Sequence, residues 1–320
     1  MKIDRAISKK IQFCRGIAII AVVCIHNCPG GYSGVIIRPL INFCVAAFLL
    51  LSGLLTTDKI TDIRAFYKKR LLRVLIPYTI WSLIYTFYYG DYTGFMWKYI
   101  TGQCCDIYYY VLVYMQLTLL VPIIIKLMKS KYWKFGFLIS PITIIIQYFK
   151  PFPWPWSANL FLVWFIFFYF GICIRNRKIQ IHVSFKNATL LWISTLVIQY
   201  AESFAWFLLA NDGNMATTQI KLSSMLTSIA VGGLIYVWLT SKRPIKTNIF
   251  FDFGVLIGNY SFGIYLTHIL LMRILEKTIY LIIPSRFPIS IIIIFTFELI
   301  FISLFKKFFG KKISGWIGLI

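Results

Sequence analysis

The chain has 320 residues, of which 59% are hydrophobic, 18% aromatic and only 13% charged, and its mean hydropathy is +0.78. Soluble domains carry charge on about a quarter of their residues, so this composition excludes an ordinary water-soluble globule and makes the bilayer the expected solvent. The formal charge of +23, from 33 Lys and Arg against 10 Asp and Glu, would suggest nucleic acid only if the cations followed no topological order.

Ten apolar stretches approach the roughly 20 residues that cross a hydrocarbon core of about 30 Å. They fall at residues 12–30, 36–57, 74–90, 106–126, 133–149, 157–174, 187–209, 219–240, 253–272 and 287–305. The first follows a basic head, as a signal peptide would, but no small-residue cleavage site follows it and its removal would spoil the parity of the spans. Pro77 is expected in the first turn of the third span, where its missing N–H costs little, and Pro141 mid-way along the fifth, where it should kink the helix. The longest exterior loop, 91–105, holds Cys104 and Cys105. Seven cysteines without a CxxC spacing give neither a metal site nor a disulfide framework, and read as small packing residues. Linkers and 20-to-50-residue repeats are absent, so residues 1–320 are expected to form one transmembrane domain with no soluble domain.

Cytoplasmic loops retain Lys and Arg. Placing the N-terminus in the cytoplasm puts 25 cations on that side and seven on the other, namely Arg38, Lys98, Lys150, Lys221, Arg273, Lys277 and Arg286, with Arg15 inside the first span. The sequence therefore predicts an all-α integral membrane protein with about ten transmembrane helices and both termini cytoplasmic. No nucleic-acid partner is expected; the expected partner surface is membrane lipid.

Ionisable groups inside a membrane are costly and mark candidate functional sites. They are Arg15, His26, Glu202, His268 and Glu298, with Asp106 and Asp252 near span ends. Arg15 and His26 stand close to three whole turns apart, so they share a helix face at roughly 16 Å separation. Arg70 and Arg73 share a face as an i, i+3 pair at the cytoplasmic end of the third span. His26, Glu202 and His268 fall in the outer half. This division, a basic inner mouth and a histidine-bearing outer half, suits a protein that passes part of an anionic cytoplasmic donor outward. Other roles stay open: Arg70 and Arg73 as lipid-headgroup contacts, the histidines as packing residues, and Glu202 and Glu298 as interhelical hydrogen-bonding groups. His182 reads as a solvated loop residue.

The run from Arg15 to His26, a basic residue, ten others and a histidine, resembles the opening helix of the acyltransferase 3 family of integral membrane acyltransferases. Phe48-Leu49-Leu50-Leu51-Ser52-Gly53 is similar to that family's F-x-x-x-S-G motif, and Arg70-Leu71-Leu72-Arg73 ahead of Pro77 to its R-x-x-R segment. Ser261-Phe262-Gly263-Ile264-Tyr265-Leu266-Thr267-His268 resembles its S-F-x-I-Y-L-x-H block. Two departures are visible. Gln12 replaces an acidic residue frequent three before the basic one, and Tyr108-Tyr109-Tyr110-Val111 stands where many members carry an H-L-W-F-like stretch.

The resemblance implies transfer of an acyl group, usually acetyl, from cytoplasmic acyl-CoA to a hydroxyl of a cell-envelope polysaccharide or lipid-linked sugar at a bacterial cell membrane. Under it, His26 is the expected base or acyl relay, Arg15 a pore-lining donor contact, and Arg70 and Arg73 the ligands of the coenzyme A phosphates. His268, Tyr265 and Glu202 are weaker substrate-binding candidates on the acceptor side, Ser52 and Gly53 allow close helix approach, and no metal is expected. A partner protein for acceptor-side transfer is a possibility the absent soluble domain leaves open. The competing class is a transporter or flippase for a glycan or small molecule; a sensory protein without turnover would leave the Arg15, His26 and Arg70 arrangement a coincidence.

Overall fold

The structure is a computed structural model that describes residues 3–241, 248–282 and 287–319. The cations Lys2, Lys242, Arg243, Lys246 and Arg286 of the charge count lie outside the described residues.

Among the described residues the chain is helical, without a strand. α1 (Arg5–Asn27) starts at Asp4, whose carboxylate accepts from the Ile7 amide at 2.8 Å. α2 (Gly31–Ile41) and α3 (Cys44–Leu54) make up the second apolar stretch. α4 (Ile63–Tyr89) is capped by Asp62, which accepts from the Arg64 and Ala65 amides. That cap starts the helix well ahead of residue 74, so Pro77 lies inside α4 and not in its first turn. α5 (Phe95–Thr101) is a short helix before a 3-10 turn at Asp106–Tyr108. α6 (Tyr109–Leu119) then bends by 56° into α7 (Val121–Lys129), with Pro122 at the break, where its ring cannot continue the preceding ladder.

A 3-10 segment, Trp133–Leu138, leads into α8 (Ile139–Phe149). Pro141 therefore occupies the first turn of α8, and the kink expected there is replaced by a change of winding upstream. α9 (Trp156–Asn159), α10 (Phe161–Arg175), α11 (Phe185–Leu208), α12 (Gly213–Thr217) and α13 (Leu222–Thr240) follow. α14 (Ile249–Asn259) meets α15 (Ser261–Glu276) at a 79° corner, and α16 (Ile279–Ile282) and α17 (Ile289–Trp316) complete the fold.

All ten predicted apolar stretches are helical. Among the described residues five spans can cross a membrane by length and composition (Gly31–Leu54, Ile63–Tyr89, Trp156–Arg175, Gly213–Thr240 and Ile289–Trp316), or up to seven if each of the two bent pairs counts as one. α1 and α11, at 23 and 24 residues, lie outside that set, and both carry ionisable groups along their length. Outward faces are apolar: Leu83 and Phe87 on α4, Leu191 and Val197 on α11, and Ile292 and Phe308 on α17 are exposed. Water would oppose such a surface, whereas lipid accepts it.

α1 is the hub of the bundle, touching α2, α3, α13, α14, α15 and α17. Two glycine seams bring backbones together. A Cβ on Gly16 would stand 2.0 Å from the Gly254 carbonyl oxygen, and one on Gly258 would stand 1.8 Å from that of Gln12, so α1 and α14 pack at a distance that excludes any side chain. Gly53 and Gly171 do the same for α3 and α10, with carbonyls 2.2 Å from either ideal Cβ. The close-approach role expected of Gly53 is thus its role in the fold. Lys10, buried, donates to the Trp238 and Ser241 carbonyls at the end of α13, a cation at a helix C-terminus. Cys104 and Cys105 are free and buried, and desolvation pushes the Cys105 thiol up to about 12, so it stays protonated and unreactive.

Candidate active site

A cavity of about 770 Å³ lies among α1, α3, α4, α6 and the α14–α15 corner. Five cations line it: Arg15 from α1, Lys59 from the α3–α4 loop, and Lys69, Arg70 and Arg73 from the first turns of α4. Asp62 also lines it, but its carboxylate is committed to the α4 amides. Arg70 donates to the carbonyl of Leu55, the C-cap of α3, at 2.8 Å, and its guanidinium lies 5.4 Å from the centre of the Phe66 ring. Arg73 is exposed along the cavity wall. Arg15 is half-buried and close enough to Arg70 and Arg73 for their charges to oppose its own. Guanidinium groups gathered in this way are relieved by a polyanion.

Toward its inner end the cavity turns apolar and aromatic, with Val22, Val45, Phe48, Tyr110 and Tyr265 as walls. The Tyr265 hydroxyl donates to the Ile107 carbonyl, which fixes the ring, and Tyr110 packs against it with ring centres 5.5 Å apart. Val22, Val45, Tyr110 and Tyr265 also line a second cavity of about 20 Å³ that holds His26. The histidine is exposed near the end of α1 and borders that space. Arg15 and His26, predicted to share a face of α1, therefore open on two cavities that share four wall residues. The end of α1 is held by Arg38, whose Nη1 donates to the Ile25 carbonyl at 2.9 Å.

The weaker candidates separate. Tyr265 lines both cavities, whereas His268 is 0% exposed and lines neither, its ring centre lying 5.5 Å from that of His26. Glu202 stands away from both cavities and joins three helices, accepting from Tyr148 Oη at 2.8 Å, the Ser223 amide at 3.2 Å and Trp206 Nε1 at 3.4 Å. Glu298 accepts from Thr267 Oγ1 at 2.7 Å and ties α17 to α15. Ser52 Oγ donates to the Phe48 carbonyl at 2.8 Å. Among the described residues no group of three His, Cys, Asp or Glu could hold a metal ion.

Lys59 and Lys69 stand in the sequence simply among the 25 cations of the basic side, and Tyr110, Tyr114 and Asn259 carry no mark of a site, yet all five line the larger cavity. The fourth apolar stretch, atypical in sequence, thus supplies Tyr110 to the wall that the two cavities share. No local signal marks these positions, because only tertiary packing turns them toward Arg15.

Helices with apolar outer faces, arranged around a basic cavity, define a multi-pass all-α membrane protein. An acyltransferase domain model, that of the acyltransferase 3 family, matches residues 8–305, and the chain belongs to this family. It is a membrane acyltransferase. No curated protein and no solved structure matches the chain.

Proposed function

We propose that the protein transfers an acetyl group from cytoplasmic acyl-CoA to a hydroxyl of a cell-envelope polysaccharide or lipid-linked sugar, from a bacterial cell membrane that it crosses about ten times with both termini inside. The observation that carries this reading is a cavity with five cations at one part and an aromatic wall at another, which shares Val22, Val45, Tyr110 and Tyr265 with the small cavity that His26 lines. The phosphates of coenzyme A suit Arg70, Arg73 and the neighbouring lysines, and the apolar inner wall suits the pantetheine arm. Arg15, midway, meets the arm or the thioester. His26 takes the proton of the attacking hydroxyl as its oxygen bonds to the thioester carbonyl carbon; the C–S bond then breaks and the thiolate leaves with coenzyme A.

The test is acetyl transfer, or slow hydrolysis of acetyl-CoA, by the purified protein in lipid. His26→Ala is expected to abolish turnover while leaving size-exclusion behaviour and helix content as they were. Turnover undiminished in that variant removes His26 from the chemistry.

A further inference from the structure

We infer that His268 is a positioning residue: its Nε2 is the acceptor that holds one ring N–H of His26 and so presents the other His26 nitrogen, lone pair outward, to the cavity. The inference rests on His26 being the base proposed above.

His268 cannot itself meet a substrate, because it is 0% exposed and lines neither cavity. Its Nδ1 lies 2.9 Å from the Ile264 carbonyl oxygen and 3.0 Å from that of Tyr265. A carbonyl only accepts, so Nδ1 carries the hydrogen, and in the neutral ring Nε2 is left with a lone pair. That Nε2 is buried and has no hydrogen-bond partner among the described residues. A buried acceptor without a donor is unfavourable, and the ring beside it is His26, 5.5 Å away between centres and tilted by 50°. No hydrogen bond joins the two rings as they stand; at that separation a turn of the His26 imidazole about its χ2 brings one N–H toward Nε2.

The two rings are also held in place. Tyr85 Oη donates to the Leu266 carbonyl at 3.2 Å and accepts from the Leu270 amide at 2.9 Å, bracketing His268 on α15. On the other side, Arg38 holds the Ile25 carbonyl next to His26. An imidazole with one N–H fixed has its tautomer fixed, and its second nitrogen becomes the base. When that nitrogen takes the hydroxyl proton, both ring nitrogens of His26 carry hydrogen, and the one facing His268 keeps its acceptor throughout the step. The arrangement follows the logic of a nucleophile–base pair whose base is oriented by a third group.

The chain has three histidines, so ¹⁵N-histidine labelling of the full-length protein in lipid nanodiscs gives three resolvable rings: His26, His182 and His268. In the wild type His26 is expected in a single tautomer, and in His268→Leu as a mixture, with the exposed His182 unchanged as a control for folding. With acetyl-CoA as donor, His268→Leu should lower kcat at least about tenfold with donor KM within about twofold, and His268→Gln, which restores an acceptor, should recover part of the loss. An unchanged His26 tautomer in His268→Leu, or a loss confined to acceptor KM, would overturn the inference. The spectroscopic arm is independent of turnover. A wild type that transfers no acetyl group would defeat the functional reading, while the dependence of the His26 tautomer on His268 would still decide the pairing.

Discussion

Arg70 and Arg73 stand one helical turn apart and differ in what each has left to give a ligand. Arg70 already serves the C-cap carbonyl of α3 and stacks on Phe66, so its truncation removes a cavity charge and a helix contact together. Arg73→Ala is expected to raise the KM for acetyl-CoA about tenfold or more, the worth of a charge-assisted hydrogen bond, with kcat and melting temperature unchanged. Arg70→Ala should raise KM similarly and also cost about 1 kcal/mol of stability. Michaelis kinetics beside thermal melts checks this, and an unaltered KM in both variants would return the pair to lipid contact. The shared face of Arg15 and His26 was legible because it depends only on helical pitch, and the i, i+3 pair for the same reason. The Arg70 bond to Leu55, the approach of Lys59 and the burial of His268 were not, since each depends on elements distant in sequence.

At the scale of helices, the apolar stretches located every major element, while starts and bends depended on caps and prolines. Asp62 set the start of α4 ahead of its apolar run, and Pro141 fell in a first turn because a 3-10 segment precedes α8. The α1–α14 seam left a readable trace in Gly254-x-x-x-Gly258, a spacing that lets helices approach, although nothing local names Gly16 as its counterpart. Gly258→Ala is expected to destabilise the bundle by about 1–3 kcal/mol or more, because its Cβ would stand 1.8 Å from the Gln12 carbonyl oxygen. Gly233→Ala, on α13 with nothing within 4 Å, should instead be neutral or stabilise by up to about 1 kcal/mol. Melting of both variants in one detergent makes the comparison, and equal behaviour would show that the seam is looser than drawn.

For the whole molecule, charge asymmetry is the argument for the proposed orientation. In a background freed of native cysteines, Asp91→Cys and Lys150→Cys should react with a membrane-impermeant maleimide on intact cells. Lys131→Cys and Lys311→Cys should react only after permeabilisation; all four positions are exposed. Labelling of Lys131→Cys on intact cells would reverse the proposed topology. The composition announced lipid as the solvent, but the cavity could not be read from it, since a cavity is made by what the chain leaves unfilled between α1, α4 and the α14–α15 corner. The way α1 is fastened, seamed to α14 at Gly16 and held by Arg38 at Ile25, also makes it a ruler. Between those two fixings no slack can be taken up by repacking. One alanine inserted between Ile19 and Ile20 would advance His26 by only about 1.5 Å but turn it through about 100°, out of phase with Arg15. Loss of acetyl transfer on such an insertion, with coenzyme A binding retained, would show that this protein measures its donor by helical phase as much as by length.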